Sequence, residues 1–426
     1  MSTAAAAAPA KRVLIVAYHY PPIAGSSGVQ RTLKFSAYLR DHGWEPTVLT
    51  VNPRAYEQTT DGQMAEIPPG LRVERVFALD SARHLAIAGK YPRRFAVPDR
   101  WLSWWPAAVL KGLQIIRQER PAVIMSTFPI ASAHMIARTL QQRSGLPWVA
   151  DFRDNMTDPD FPRDPVTWRF NRRLEEATIR QCARAVFTTR GTKQMYAERY
   201  PEAPAERWAI VENGYDEENF ANALRGLPAA TPVAGQPLRL VHSGILYPEE
   251  RDPRPFFAAV RSLKSTGELT AERVRIVLRA TASDQIYIPM LREAGIDDIV
   301  ELAPSVPYAA ALQEMLTADG LLLFQAAMCN HQIPAKLYEY LRAGRPILAL
   351  TDPAGDTAQA LRDAGTGVIC DLANADDITR QLRAFVSGLQ AGTLQGASAV
   401  EAQRHSRRAR TAELAALFDD VSLRGR

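Results

Sequence analysis

Apolar runs of strand length alternate with helix-like spacing along most of this chain. Residues 13–18 (VLIVAY) are apolar throughout, the pattern of a strand covered on both faces of a parallel sheet. A Pro/Gly/Ser loop follows, then Val29, Leu33 and Ala37 spaced four apart as on one helix face. Gly43 stops that helix, and residues 46–51 (PTVLTV) supply the next strand. This β–loop–α–β unit is the building block of a doubly wound sheet.

The pattern continues with strands at 122–126 (AVIMS), 148–151 (WVAD), 185–188 (AVFT) and 209–211 (AIV), and a helix around 131–141. Asn213-Gly214 and the Pro/Ala/Gly-rich stretch LRGLPAATPVAGQP then read as a connector. Strand-like runs resume at 238–242, 274–278, 299–302, 320–324 and 346–350, with helices between them. The expected architecture is α/β, two Rossmann-like doubly wound domains facing a central cleft. The boundaries are a disordered tail at 1–10, a first domain at 11–212, a linker at 213–236, a second domain at 237–396, and a C-terminal helix at 397–426 that crosses back to the first domain. In such folds ligands bind beyond the C-terminal ends of the strands, so chemistry belongs in the loops that follow them.

Composition narrows the class. The chain has 426 residues, 46% hydrophobic and 23% charged, as in ordinary globular proteins. Its formal charge of +5 fits anionic small-molecule or lipid partners, and 51 basic against 46 acidic residues is too even for nucleic acid alone. Cys182, Cys329 and Cys370 are odd in number and far apart, which argues against a disulfide framework or zinc site and for a reducing compartment. The stretch MSTAAAAAPA lacks the basic and apolar regions of a signal peptide, and no apolar stretch is long enough to span a membrane.

The segment HQIPAKLYEYLRAGRPILAL, residues 331–350, holds the most informative chemistry. It follows the strand at 320–324, with Pro334 suited to a first helical position and Gly344 to the helix end. Free amides near 332–336 at a helix N-terminus favour phosphate, and Lys336 adds a cation. Glu339 lies three residues on, on nearly the same face. A carboxylate beside bound phosphate suits a ribose diol.

Glu339-Tyr-Leu-Arg-Ala-Gly344-Arg-Pro346 resembles the E-x-x-x-x-G-x-P segment of GT-B retaining glycosyltransferases of the family 4 type. The resemblance implies that Glu339 binds donor ribose, with the diphosphate held by Lys336 and the backbone at Ile333, Pro334 and Ala335. Those enzymes carry a sugar-contacting glutamate where this chain has His331. The loop YPPIAGSSGVQR is similar to their Gly-rich loop, which places Gly25, Ser26 and Ser27 at donor phosphate and Arg31 toward acceptor or sugar. Gly244 begins a stretch similar to their phosphate motif. The usual arginine after that glycine is Ile245 here, leaving Arg251 to meet the diphosphate. Residues 211–220 (VENGYDEENF) resemble the family's connector, with Asn213 and Gly214 as hinge.

Arg153 occupies the place of a sugar-contacting histidine and, with Asp154, is a candidate for stabilising the leaving group or orienting hydroxyls. Asp151 and His134 are candidates for sugar or acceptor. Their structural alternatives are an internal Asp–Arg salt bridge and a core histidine. Asp158-Pro-Asp160 has the form D-x-D but lies in a turn-like context, so no metal is expected.

Residues 83–120 carry a net charge of +6 with interleaved aromatics. Arg93, Arg94, Arg100, Trp101, Trp104 and Trp105 make this a candidate contact with an anionic membrane; the alternative is tryptophans packed under an ordinary helix. The function these readings imply is a retaining, metal-independent glycosyltransferase needing no cofactor. It would use a UDP- or GDP-sugar donor and a glycan or lipid-linked acceptor, in surface polysaccharide assembly. The setting would be cytoplasmic, at the inner face of the cytoplasmic membrane, with no nucleic-acid partner. A sugar-nucleotide epimerase of the same fold and an inactive binding or scaffold protein are the alternatives.

Overall fold

The computed structural model describes residues 11–24, 28–227, 235–248 and 250–424. The expected tail at 1–10 and the loop residues Gly25, Ser26 and Ser27 lie outside them. The chain divides into two compact units, 1–212 with 407–426, and 213–406.

The first unit contains β1 (Lys11–Val16), α1 (Gly28–Tyr38), β2 (Trp44–Val51), β3 (Arg72–Val76), α2 (Ser81–His84), α3 (Trp104–Glu119) and β4 (Val123–Thr127). It continues through α4 (Ala131–Ser144), β5 (Trp148–Asp151), α5 (Pro165–Gln181), β6 (Arg184–Phe187), α6 (Arg190–Arg199) and β7 (Trp208–Ile210). The strands form one parallel sheet in the order β3-β2-β1-β4-β5-β6-β7. The apolar runs are explained by cover on both faces. Leu14, Val16 and Ile124 pack with α3 and α4 on one side, while Val13, Ile15 and Met125 pack with Leu33 and Phe35 of α1 on the other.

The second unit begins with α7 (Glu217–Arg225), β8 (Leu238–Ser243), α8 (Arg254–Ser265), β9 (Val274–Arg279), α9 (Asp284–Ala294), β10 (Val300–Ala303), α10 (Tyr308–Thr317) and β11 (Gly320–Gln325). It ends with α11 (Lys336–Ala343), β12 (Ile347–Thr351), α12 (Asp356–Asp363), β13 (Val368–Cys370), α13 (Ala375–Gln390) and α14 (Ala399–Arg404). Its parallel sheet runs β10-β9-β8-β11-β12-β13. Leu240, Ile276 and Phe324 face α8, α9 and α13, while Val241, Val277 and Leu323 face α7, α10 and α11.

Three differences from the sequence reading have physical causes. The segment expected as a linker holds α7, whose Phe220 and Ala223 are buried against Leu312 and Leu337. The single helix expected at 397–426 is instead broken at His405 and Ser406, where Tyr215 N donates to the His405 carbonyl, into α14 and α15 (Arg407–Arg424); α15 packs in the first unit, where Leu414 and Phe418 complete the core beside Trp44. Strands β3 and β13 escaped notice because they are short edge strands, largely half-exposed, without a continuous apolar run.

In each sheet the strand order reverses beside the first strand, between β1 and β4 and between β8 and β11. Adjacent strands there send their connections to opposite faces, which opens a crevice at the C-terminal ends.

Candidate functional site

In the second unit the crevice lies between β8 and β11. Their pairing is Gly320↔Leu240 and Leu321↔Val241, after which the strands part. His242 fills the gap. Its Nδ1 is 2.9 Å from the Leu322 carbonyl and its Nε2 is 3.4 Å from Nζ of Lys336. Nε2 is also 3.1 Å from the Gly244 carbonyl, so the neutral ring donates its one N–H to the carbonyl of either Leu322 or Gly244. Burial, then the neighbouring lysine, holds His242 well below the ordinary imidazole range, so it stays neutral.

Lys336 is the first residue of α11. Burial pushes it down to about 7, the Arg251 guanidinium acts in the same direction, and Glu339 opposes them. Gly244 has φ +122, and a Cβ there would stand 2.6 Å from Lys336 Nζ. Glycine is required both for the backbone and for the lysine's approach. Arg251 donates to the Ile245 carbonyl at 2.9 Å and lies over the Tyr247 ring. Two cations therefore converge on one loop, an arrangement that an anion would relieve.

The α11 N-terminus is built from a tight turn. Leu337 N donates to Pro334 O and Tyr338 N to Ala335 O, so the regular helix starts two residues after the expected Pro334. Among the described residues no hydrogen bond takes the amides of Ile333, Ala335 and Lys336. Gly344 ends the helix in the left-handed region, as the sequence predicted. Tyr340, one residue past Glu339, accepts from Ser243 N at 3.0 Å and fixes α11 to β8. Glu339 is half-buried, and its Oε1 accepts from the Tyr308 hydroxyl at 2.6 Å. His331 is exposed on the preceding loop, where Asn330 donates to Asp352 at 2.6 Å. His242 and Tyr308 are the residues that sequence reasoning missed. Both lay in view, one at a strand end and one at a helix start, but their partners are 94 and 31 residues away.

In the first unit, Arg153 follows β5 with φ +55, a left-handed conformation that is strained for a non-glycine residue. Its Nη1 donates to the Gly28 carbonyl at 3.3 Å, and a Cβ on Gly28 would meet Nη2 at 2.8 Å. Its Nε is buried with no partner among the described residues. His19, after β1, is lowered to about 4 by burial and by Arg153. Asp154 is exposed beside them.

Other candidates of the first unit have interior roles. Asp151 pairs with Arg31 rather than with Arg153, through Arg31 Nη2–Oδ1 at 2.9 Å and Nε–Oδ2 at 3.1 Å. Arg31 also donates to the carbonyls of Val211 and Glu212, both at 2.8 Å, and Thr127 donates to Asp151. Both side chains are at most 3% exposed, which removes them from acceptor or sugar contact. His134 is fully buried against Phe152 and Trp148, bonds to Ser126 at 2.8 Å, and is pushed down to about 3 by burial. It is a core histidine.

The basic–aromatic segment divides. Trp104 is fully buried, and Trp101 packs on Tyr18 at 4.4 Å with its Nε1 bonded to Ala55 O. Trp104 cannot reach a bilayer. Trp105 is 37% exposed and Phe95 41%. Arg93 pairs with Asp164, Arg100 with Glu57 and Asp80, and Arg94 lies over Phe95. Asp158 accepts both oxygens' bonds from Asn155 Nδ2. Among the described residues no group of three or more His, Cys, Asp or Glu gathers at metal-binding distance, and no helix is long and apolar enough to cross a membrane.

Residues 27–214 match the family model described as a glycosyl transferase 4-like domain. No curated protein matches the chain. Solved structures share its fold over nearly its whole length. HepE of Anabaena in complex with UDP is 14% identical with a TM-score of 0.64, over 96% of this chain and 100% of that one. Sucrose-phosphate synthase of Thermosynechococcus elongatus is 13% identical with a TM-score of 0.61, over 97% of both chains. The α,α-trehalose 6-phosphate synthase of Burkholderia multivorans is 13% identical with a TM-score of 0.63, again over 97% of both. Residues 27–214 thus carry a glycosyl transferase 4-like domain, and the chain as a whole has the two-domain GT-B fold of these structures.

Proposed function

We propose that this protein is a retaining glycosyltransferase. It moves a sugar from a nucleotide-diphosphate-sugar donor to a glycan or lipid-linked acceptor, in cell-surface polysaccharide biosynthesis. The observation that carries the reading is the pair on α11. Lys336 is held against Gly244 and His242 at the crevice, and Glu339 is fixed by Tyr308 one turn along the same helix. Cation and carboxylate at that spacing match the diphosphate and ribose ends of one donor. The fold shared with HepE, whose structure holds UDP, supports the choice of ligand class.

In this reading the donor diphosphate lies over the amides of Ile333, Ala335 and Lys336, with Arg251 and Lys336 as counter-charges. The C1–O bond to the diphosphate breaks, and the acceptor oxygen attacks C1 from the same face. The departing phosphate oxygen takes the acceptor proton. The chain's task is to stabilise the charge that develops on the leaving group. Lys336 and Arg251 supply the opposing positive charge, and the reading assigns no metal. Arg153 and Asp154 would orient hydroxyls of sugar or acceptor. The exposed His331 stands where other donor sites hold a carboxylate, so sugar preference would be set there.

Titration of the full chain with UDP and GDP tests the reading. Binding of at least one is expected. Glu339→Ala should weaken it by about tenfold or more, a loss of ~1.4 kcal/mol, and leave inorganic pyrophosphate binding unchanged. Absence of binding by both nucleotides overturns the donor site. Turnover of a nucleotide-sugar panel against a membrane lipid extract then identifies sugar and acceptor.

A further inference from the structure

Residues 152–164 join β5 to α5, and where they enter the helix they border a groove of about 630 Å³. Pro162, Pro165 and Trp168 form its apolar wall, and Asp160, Arg163 and Arg169 add charge. Trp168 belongs to neither hydrophobic core of the first unit. Its Nε1 donates to the Asp158 carbonyl at 2.8 Å, which fixes the indole by one edge. Arg163 and Arg169 are exposed, and among the described residues neither has a side-chain partner. The loop is braced from behind by a buried hub. Glu175, fully buried, accepts from Thr157 Oγ1 and from the Tyr196 hydroxyl, both at 2.9 Å, and from the Tyr200 hydroxyl at 2.6 Å. Met156 N donates to the Tyr196 hydroxyl at 3.0 Å, and Arg199 donates to both Glu175 and the Thr157 carbonyl at 2.9 Å. Asp158 and Phe161 then exchange backbone hydrogen bonds at 2.8 and 3.2 Å, which closes the turn that leads into the groove. A satisfied buried network rigidifies what it holds, so the groove is shaped before any ligand arrives.

We infer that this groove binds an acidic unit of an oligosaccharide, its pyranose ring lying on the Trp168 face and its carboxylate against Arg163 and Arg169. The inference names the class of acceptor glycan, and it rests on the glycosyltransferase reading for the choice of a saccharide. A pyranose carries C–H groups on its faces and hydroxyls around its rim. An indole between prolines suits the faces, and Asp160 accepts from the rim. Two guanidiniums against one carboxylate leave the groove with an excess of positive charge. A uronate neutralises that excess, and forked donors match its geometry. The volume lies within the ~300–1,000 Å³ of ordinary ligand clefts. A bilayer is met by protruding side chains, not by a groove, so the concavity favours a glycan over a lipid surface. The same loop carries Arg153 at its other end, which puts the groove on the side of the sheet where the strand ends open.

The test is calorimetric titration of the full-length chain with tetragalacturonate, a hyaluronan tetrasaccharide, neutral maltotetraose and UDP. Wild type is expected to bind at least one acidic probe about tenfold or more tightly than maltotetraose, the size of one charge-assisted hydrogen bond. Trp168→Ala should weaken that probe by about tenfold or more, as truncation of an aromatic at a binding centre does. Trp168→Phe keeps a ring and should lose less. Arg163→Gln combined with Arg169→Gln should abolish the preference for acidic over neutral probes. UDP affinity should be unchanged in all three variants, and matching melting curves establish that they fold. Absence of binding by both acidic probes overturns the groove, as does full affinity in Trp168→Ala. Equal affinity for maltotetraose overturns the acidic class. Sedimentation with anionic liposomes that the double arginine variant loses, without binding of either acidic probe, assigns the patch to a membrane and overturns the inference. If UDP binds and no acidic probe does, the donor reading stands and the groove alone falls. If an acidic probe binds and UDP does not, the groove stands and the donor reading falls.

Discussion

Nζ of Lys336 stands 3.4 Å from Nε2 of His242, inside a loop that also carries Arg251. The neutral imidazole is held between the Leu322 carbonyl at 2.9 Å and the Gly244 carbonyl at 3.1 Å. Burial first, and then the Arg251 guanidinium, reduce the affinity of Lys336 for a proton. The groups facing it are His242 from β8, Arg251 from the loop after β8, and Glu339 from its own helix.

A pH dependence follows. With its proton lost near pH 7 in the empty site, Lys336 regains it when a diphosphate arrives. Nucleotide binding above pH 7 should therefore take up protons, and affinity should fall by up to about tenfold per pH unit for one linked proton. Between pH 7 and 10.5 the unfolded chain binds this proton and the folded chain does not, so its contribution to stability rises with pH across that window. Titration of UDP in buffers of different ionisation enthalpy measures the uptake. Lys336→Met should abolish it, and a flat wild-type affinity from pH 7 to 9.5 would contradict the assignment.

Gly244→Ala should impair the phosphate end of the site more than the fold. The new Cβ meets only the tip of Lys336, which can move, but φ +122 is unfavourable for any L side chain. A destabilisation of about 1–3 kcal/mol is expected. The displaced lysine should weaken pyrophosphate and UDP alike, by titration. Loss of nucleotide affinity with pyrophosphate unaffected would be the wrong pattern.

Arg31→Ala and Asp151→Ala should each destabilise the first unit severely. Each leaves a buried charge without its partner, at a cost of about 3–5 kcal/mol. The double replacement should cost less than the two single losses combined, because it removes both charges. Thermal or denaturant unfolding of the three variants provides the comparison, and additive losses would show that the pair is not coupled.

Membrane contact by residues 83–120 would depend on exposed groups, not on the buried Trp104. Sedimentation with anionic liposomes should fall severalfold when Arg93, Arg94 and Arg100 are neutralised together, at roughly 1 kcal/mol per basic residue near the surface. The ion pairs of Arg93 and Arg100 compete with lipid, which makes Arg94 the most sensitive single position. Equal sedimentation of wild type and the triple variant would rule the contact out.

The parallel strands were legible because a strand covered on both faces must be apolar at every position. The runs around Leu14, Ile124, Leu240 and Leu348 carry that signature unaided. The Lys336–Glu339 spacing was equally legible, since helix geometry fixes which residues share a face, and so was the stop at Gly344. The sequence also offered Asp151 and His134 as candidates for chemistry, because a charged residue at a strand end has the same local pattern whether it meets a ligand or a buried partner.

Tertiary structure alone separated those cases. Arg31 reaches Asp151 across 120 residues of sequence, and Tyr308 reaches Glu339 across 31. His242 meets Lys336 only because β8 and β11 part at the reversal of strand order. Local propensity and periodicity act over a few residues and determine elements. Whether a polar group is neutralised inside the fold or left facing solvent depends on which distant backbone the packed sheet brings beside it.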